Sequence, residues 1–209
     1  MVQAVIFDFD MTLVNSIYAI TRGLNKMARH FNLRPVDESD TRRVMSLEAK
    51  EFWRNLWGYH DEAWSEYFLK EVAVQEKNYL EIAPGAHELL KNLKSEGVRI
   101  GLATNRDNAW QALASIDMAR YFDTAVGSTD VSRGKPSPDM VFMALDQMQV
   151  SPGRAIFIGD SVADMQAASS AGVRAVGVLE GGTDKELLAQ AGAWQIRETL
   201  RDLNDLLGN

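Results

Sequence analysis

The chain has 209 residues, 46% of them hydrophobic and 24% charged, which is typical of a globular protein with one large core and a smaller second domain. A formal net charge of −7, with no basic run longer than Arg42-Arg43, argues against nucleic acid or an anionic membrane as a partner. Cysteine is absent and no stretch approaches the roughly 18 apolar residues of a membrane span, so we expect a cytoplasmic protein without disulfides or thiolate-bound metal.

The first predicted element is a strand from Ala4 to Phe9, a short apolar run typical of a strand buried on both faces. Two acids, Asp8 and Asp10, lie at the end of this run. A carboxylate at the edge of a core costs free energy unless it is paired. We therefore expect both acids to face a cation or a reacting group.

Residues 17–80 form the next predicted segment, which is helical throughout. Apolar side chains recur there at steps of three and four residues, and no run is a convincing strand. We predict an all-helical insert at residues 15–81 and a second domain built from residues 1–14 and 82–209.

After residue 85 the pattern changes to strands and helices in alternation, which predicts an α/β fold with a parallel sheet wrapped by helices. The predicted strands are Val98–Thr104, Thr124–Val126, Ala155–Asp160 and Val173–Val178. The predicted helices are Asp107–Met118, Pro138–Met148 and Val162–Ala171.

Polar side chains follow several of these strands, at the edge where ligands bind in open parallel sheets. They are Asp8 and Asp10, then Thr104 and Asn105, then Lys135 in a loop, and finally Asp160 and Asp164. We expect this set to converge on one site.

The expected chemistry at this site is hydrolysis of a phosphate ester. The carboxylate of Asp8 can attack phosphorus and form an aspartyl phosphate. Because this brings an anion toward an anion, the reaction needs a hard divalent cation, and Asp8, Asp160 and Asp164 can supply oxygen ligands for Mg²⁺.

The remaining polar groups suit the other needs of that reaction. Asp10 can give a proton to the leaving alcohol and later take one from water. Thr104 and Lys135 can bind the phosphoryl oxygens, and backbone N–H groups near Met11 and Asn105 can add to them.

Each residue also has a purely structural interpretation. Asp160 and Asp164 fit the acidic N-terminus of a helix capped by Ser161, and Lys135 fits an exposed loop lysine. Order and placement of the whole set favour the functional interpretation.

Four motifs together resemble the haloacid dehalogenase superfamily of phosphatases over essentially the whole chain, and look most like its phosphoglycolate phosphatase branch. They are DFDMTLV from Asp8, LATN from Leu102, GKPSPD from Gly134 and GDSVADMQAASSAG from Gly159. The resemblance implies a Rossmann-like core with helices on both faces of the sheet and an inserted all-helical cap.

The resemblance also implies a role for each matching residue. Asp8 would be the nucleophile, Asp10 the acid and base, and Thr104 and Lys135 the phosphate ligands. The Mg²⁺ ligands would be Asp8, Asp160, Asp164 and the backbone carbonyl of Asp10.

Two residues depart from the family pattern. Met11 stands where these phosphatases usually have Gly, so its side chain either crowds the pocket or adopts a φ that Met tolerates. Asn15 stands where many have Asp, and we expect it to cap the first helix of the insert.

Substrate choice is expected to lie in the helical insert, since a cap closes over the group that carries the phosphate. Arg42, with Arg43 beside it, could bind a substrate carboxylate, although exposed salt bridges are the simpler explanation of both. Arg106 could add charge near the phosphate or lie exposed at a helix start.

We therefore predict a Mg²⁺-dependent phosphomonoesterase for a small phosphorylated metabolite, with 2-phosphoglycolate as the best candidate. Alternatives are a sugar phosphate or nucleotide phosphatase, a phosphomutase, a phosphonatase with Lys50 as its only passable Schiff-base lysine, and a weakly active binding module. A dehalogenase is disfavoured because it does not need Asp10. The sequence leaves both a monomer and a homodimer open.

Overall fold

The structure is a computed structural model that describes residues 2–45, 47 and 49–203. It divides into two compact units. The sheet unit comprises Met1–Val14 and Ile82–Asn209, and the helical unit comprises Asn15–Glu81.

The secondary structure follows the alternating pattern of the sequence. The strands are β1 (Ala4–Phe7), β2 (Val14–Asn15), β3 (Glu81–Ile82), β4 (Arg99–Ala103), β5 (Thr124–Val126), β6 (Ala155–Gly159), β7 (Arg174–Val178) and β8 (Ala193–Arg197). The helices are α1 (Ile17–His30), α2 (Glu38–Val44), α3 (Ala49–Trp57), α4 (Glu62–Tyr79), α5 (Ala86–Ser95), α6 (Ala109–Ser115), α7 (Asp139–Met148), α8 (Val162–Ser170) and α9 (Lys185–Gln190).

Six strands form one parallel sheet in the order β5-β4-β1-β6-β7-β8, which confirms the predicted α/β fold. Strand β1 is central, with β4 and β5 on one side and the later strands on the other. The strand order therefore reverses at β1. In such sheets the crevice beyond the carboxyl end of the strands at this reversal is the usual ligand site.

The sheet is covered on both faces, because every residue of β1 and β6 is buried. Successive side chains of a strand point to opposite faces. Ile6 of β1 joins Phe157 of β6 in a cluster with Met140 and Met165, which are on α7 and α8. On the opposite face, the ring of Phe7 makes an edge contact with another aromatic ring.

The helical unit has a core of its own. Helices α1 to α4 bury a set of large apolar and aromatic side chains: Ile20, Leu24, Met27, Val36, Val44, Trp53, Leu56, Trp64 and Val72. Helix α1 approaches α4 closely at Gly23, where an added Cβ atom would lie 2.7 Å from Cγ2 of Val72. Among the described residues, no helix combines the length and the apolar character needed to cross a membrane.

Several bounds and elements differ from the sequence prediction. Strand β1 ends at Phe7, because the chain turns directly after Asp8. Helix α6 is shorter than predicted and starts after Asn108, whose side chain accepts a hydrogen bond from the N–H of Gln111 at 3.0 Å. Elements β2, β3, α5, α9 and β8 were not predicted, and β8 escaped detection because it is a partly exposed edge strand.

Candidate active site

Asp8 lies at the carboxyl end of the central strand, where its backbone N–H donates to the carbonyl of Ile158 at 2.9 Å. This hydrogen bond continues the β1–β6 pairing by one residue and fixes the backbone of Asp8. The residue is only 7% exposed. Burial raises the pKa of its carboxyl to about 7, while the charge of Lys135 opposes the shift.

Lys135 joins two of the acids that the sequence singled out. Its Nζ donates to Oδ1 of Asp8 at 2.5 Å and to Oδ1 of Asp164 at 2.7 Å. Burial alone would lower the pKa of this lysine, but the charges of Asp164 and Asp8 raise it above its ordinary value. The ammonium is therefore a fixed positive charge inside the site, and the interpretation of Lys135 as an exposed loop residue is wrong.

Asn105 holds the loop that carries Lys135. Its Oδ1 accepts the backbone N–H of Lys135 at 2.9 Å, and its Nδ2 donates to the backbone carbonyl of Lys135 at 3.2 Å. The side chain of Asn105 therefore positions the backbone of the lysine. The expected contact of the backbone near Asn105 with a substrate phosphate remains a prediction.

A buried cluster of three acids, Asp8, Asp160 and Asp164, lies at the ends of β1 and β6, with one carboxylate oxygen from each within 4.8 Å of the others. Asp164 belongs to the first turn of α8 and accepts the N–H and Oγ of Ser161 at 3.0 and 2.7 Å. Ser161 in turn accepts the N–H of Asp164 at 3.2 Å. This reciprocal arrangement is a capping box, and it confirms Ser161 as the N-cap.

Two glycines give these acids the space they occupy: Gly159, which begins the last of the four motifs, and Gly181, which lies outside the motifs. A Cβ atom on Gly159 would lie 2.6 Å from Cγ of Asp164, and one on Gly181 would overlap Oδ2 of Asp160. Any side chain at either position would displace a carboxylate. The only sequence signal was the presence of glycine beside an acid or at a strand end.

The donor set fits a divalent cation. Three carboxylates and one ammonium share the cluster, which leaves two negative charges in excess when all are ionised. Burial, together with the charges of Asp164 and Asp8, raises the pKa of Asp160 well above its ordinary value. A hard divalent cation with a preference for carboxylate oxygens would relieve this charge.

The carboxylate of Asp10 is not part of that cluster among the residues that the structure describes. It instead binds Arg106, whose Nη2 lies 2.6 Å from Oδ1 and whose Nε lies 2.7 Å from Oδ2. Of the two sequence interpretations of Arg106, the exposed helix-start arginine is wrong, since its side chain is 23% exposed and paired.

Thr104 lies directly after β4 and is almost completely buried. Its N–H donates to the carbonyl of Val126 at 3.0 Å, and its Oγ1 accepts the N–H of Arg106 at 3.3 Å. Nearby, Oγ1 of Thr12 donates to Oδ1 of Asp160 at 3.3 Å. Thr12 was not among the predicted site residues, although it lies inside the first motif.

Met11 adopts the left-handed conformation with φ of 59°. This is the second of the two alternatives left open by the sequence, and such a φ costs a non-glycine residue about 1 kcal/mol. Its N–H donates to the carbonyl of Val14 at 2.7 Å, so this donor closes the turn. Of the backbone N–H groups near Met11 that were expected to bind a phosphate, the N–H of Met11 itself is therefore already paired.

In the helical unit, Arg43 forms an ion pair with Asp40 at 2.7 Å, as expected of an exposed salt bridge. Arg42 lies on the exposed face of α2, and its predicted contact with a substrate remains a prediction. The N-cap of α1 is Ser16 and not Asn15 as predicted, although Oδ1 of Asn15 accepts the N–H of Ile17 at 3.3 Å. The side chain of Lys50 lies outside what the structure describes.

Comparison with known proteins gives concordant results. The pattern of the haloacid dehalogenase-like hydrolase family matches residues 5–178. A phosphoglycolate phosphatase from Rhodospirillum rubrum is 32% identical, with an alignment that covers all of this chain and 92% of that protein.

Two further matches agree with the family assignment. A phosphorylated carbohydrates phosphatase from Thermotoga maritima is 31% identical over 91% of this chain and 92% of its own length. The crystal structure of a haloacid dehalogenase-like hydrolase from Bacteroides fragilis superposes with a TM-score of 0.85 at 26% identity, covering 97% of this chain and all of that one.

Proposed function

We propose that this chain, which belongs to the haloacid dehalogenase-like hydrolase family and is a phosphatase, is a Mg²⁺-dependent phosphomonoesterase. In this proposal the reaction proceeds through an aspartyl phosphate on Asp8. We propose 2-phosphoglycolate as its first candidate substrate and the cytoplasm as its location. The observation that carries the proposal is the buried cluster of Asp8, Asp160 and Asp164 with Lys135 bound inside it.

Asp8 is the proposed nucleophile. Its backbone is fixed by pairing with β6, and Lys135 holds its Oδ1, so the side chain is oriented before substrate arrives. A carboxylate oxygen of Asp8 forms a bond to phosphorus while the bond from phosphorus to the leaving oxygen breaks. Water then attacks phosphorus, the bond to Asp8 breaks, and inorganic phosphate leaves.

Asp10 is the proposed acid and base. It protonates the leaving alkoxide in the first step and accepts a proton from water in the second, so that its charge is restored after one turnover. Its position two residues after Asp8 suits this role, because its carboxylate lies outside the acid cluster and is not needed to bind the cation.

The oxygens of Asp8, Asp160 and Asp164, with the backbone carbonyl of Asp10, are the proposed ligands of Mg²⁺. When bound, the cation would neutralise charge between the acids and the phosphoryl group. Ser161 holds Asp164 in the ligating position, and Gly181 leaves room for Asp160. Lys135 and Thr104 are the proposed phosphoryl ligands, since both lie buried at this end of the sheet.

The proposed substrate class is a small phosphorylated carboxylic acid. A relative named phosphoglycolate phosphatase aligns with the whole chain, and the helical unit, as the proposed cap, carries Arg42 as a candidate carboxylate ligand. A sugar phosphate is the second candidate, because the relative from Thermotoga maritima is named for phosphorylated carbohydrates.

The test is release of inorganic phosphate from 2-phosphoglycolate, sugar phosphates, nucleoside monophosphates and pyrophosphate, with Mg²⁺ and with EDTA. Asp8→Asn is the control, since it keeps the shape and removes the nucleophile. We expect turnover only with Mg²⁺ and only in the parent. Equal turnover by Asp8→Asn would overturn the mechanism, and transfer of phosphate to a sugar rather than to water would identify a phosphomutase.

A further inference from the structure

We propose that Arg106 is the positioning residue for Asp10, a role that rests on the proposed phosphatase mechanism and adds a residue to it. The two side chains are 96 residues apart in the chain. They meet through two hydrogen bonds, from Nε to Oδ2 at 2.7 Å and from Nη2 to Oδ1 at 2.6 Å. Because the guanidinium is planar and rigid, this pair of bonds fixes both the direction and the rotation of the carboxylate.

Arg106 is itself held in place from several sides. Its guanidinium lies over the ring of Phe9, 4.7 Å from the centroid, and Phe9 is completely buried. Its backbone N–H donates to Oγ1 of Thr104 at 3.3 Å, and its carbonyl accepts the N–H of Ser128 at 2.8 Å. Because these contacts fix Arg106 relative to the sheet, Arg106 can in turn hold the carboxylate of Asp10 in a fixed position.

The close packing of the backbone around Arg106 supports the same conclusion. A Cβ atom on Gly127 would lie 2.7 Å from the carbonyl oxygen of Arg106 and 2.8 Å from that of Asp107. The loop after β4 is therefore pressed against the loop after β5. Asp10 projects from the turn that contains Met11, and the guanidinium of Arg106 reaches its carboxylate from outside that turn.

Asp10 needs that fixed direction in both steps of the proposed reaction. In the first step the proton moves from Asp10 to the leaving oxygen as the phosphorus–oxygen bond breaks. In the second, the proton of the attacking water moves to Asp10 as the bond between Asp8 and phosphorus breaks. While one oxygen of Asp10 carries the proton, the hydrogen bond from Arg106 to the other oxygen keeps the side chain in place.

The choice of leaving group can distinguish a role of Arg106 in positioning Asp10 from a role in binding the substrate. An alkyl phosphate needs a proton on its leaving oxygen, whereas 4-nitrophenolate leaves without one. A protein with a misplaced Asp10 should therefore form the aspartyl phosphate readily from 4-nitrophenyl phosphate but hydrolyse it slowly. The visible result is a burst of one nitrophenolate per active site before slow turnover.

The experiment compares the parent with Arg106→Ala, Arg106→Lys and Asp10→Asn, all in the presence of Mg²⁺. Rapid mixing with 4-nitrophenyl phosphate measures the burst. Steady-state assays with 2-phosphoglycolate, or with the best alkyl phosphate found, measure kcat and KM. Arg120→Ala is the matched control, because it removes an arginine from an exposed ion pair with Asp117. We expect Arg106→Ala to lose about 100-fold in kcat on the alkyl phosphate with KM little changed, and to show the burst. Arg106→Lys should recover part of kcat, since an ammonium can hold one oxygen.

Three outcomes overturn the inference. They are an increase in KM at unchanged kcat, which would make Arg106 a substrate ligand; a loss of kcat without a burst; and a loss in Arg120→Ala as large as that in Arg106→Ala. If Arg106→Ala fails to fold, the KM and kcat values of Arg106→Lys decide the question. Activity retained by Asp8→Asn would overturn the proposed function instead, so the two failures are distinguishable.

Discussion

The ammonium of Lys135 lies 2.7 Å from Oδ1 of Asp164, although Lys135 is in the loop between β5 and α7 and Asp164 is in α8, after β6. The same ammonium binds Asp8, and all three side chains are almost completely buried. The lysine thus places a buried positive charge within the proposed cation site.

Replacement of Lys135 by Met tests that relationship. Lys135→Met keeps most of the volume but leaves Asp8 and Asp164 without their cation, so we expect a loss of about 3 kcal/mol in the free energy of unfolding without metal. Urea unfolding in EDTA measures the loss, and saturating Mg²⁺ should restore part of it. Lys94→Met, which removes an exposed pair with Asp123, should cost less than about 1 kcal/mol. Equal costs for the two variants would contradict the assignment.

Substitution of Gly181 should weaken binding of the cation, because it displaces the carboxylate of Asp160. A methyl group at this position overlaps Oδ2 of Asp160, so Gly181→Ala must move that carboxylate. We expect about a 10- to 100-fold weaker affinity for Mg²⁺, measured by titration calorimetry. Gly153→Ala is the control, because a Cβ atom on Gly153 meets nothing within 4 Å. Unchanged affinity in Gly181→Ala would refute the contact.

The packing of α1 against α4 predicts a reversal of the usual effect of glycine in a helix. Gly→Ala in a helix interior ordinarily stabilises by about 1 kcal/mol. At Gly23 the new methyl would lie 2.7 Å from Cγ2 of Val72, so we expect Gly23→Ala to destabilise by about 1 to 3 kcal/mol. Because only the contact with Cγ2 depends on the valine side chain, combination with Val72→Ala should remove part of this penalty, as thermal unfolding of the single and double variants can show. Stabilisation by Gly23→Ala alone would contradict the packing.

The ion pairs of Asp40 predict a dependence on pH. Hydrogen bonds from Arg34, and then from Arg43, lower the pKa of Asp40 to about 2. A depressed pKa means that this stabilisation is present above the ordinary pKa near 3.8 and is lost as the pH falls toward 2. The pair is largely exposed, so it contributes less than about 1 kcal/mol. Arg34→Ala should move the carboxyl titration seen by NMR back toward higher pH, and an unmoved titration would exclude the pair as the cause.

Local patterns determined much of this protein by sequence alone. Apolar runs and alternation predicted the strands β1, β4, β5, β6 and β7, because a strand buried on both faces needs a continuous apolar run. The position of Ser161 before α8 predicted its cap, because capping depends on residues three apart. Parallel pairing then required the acids at the ends of β1 and β6 to lie at one edge.

Only the tertiary structure decided which side chains contact one another at that edge. Lys135 reaches Asp8 across 127 residues of chain, and Arg106 reaches Asp10 across 96. The use of Asn105 on the backbone of Lys135, and the fit of Gly181 against Asp160, were equally invisible in the sequence. Periodicity and capping depend on neighbours within a few residues, whereas these contacts depend on the sheet order and on where each loop turns after its strand.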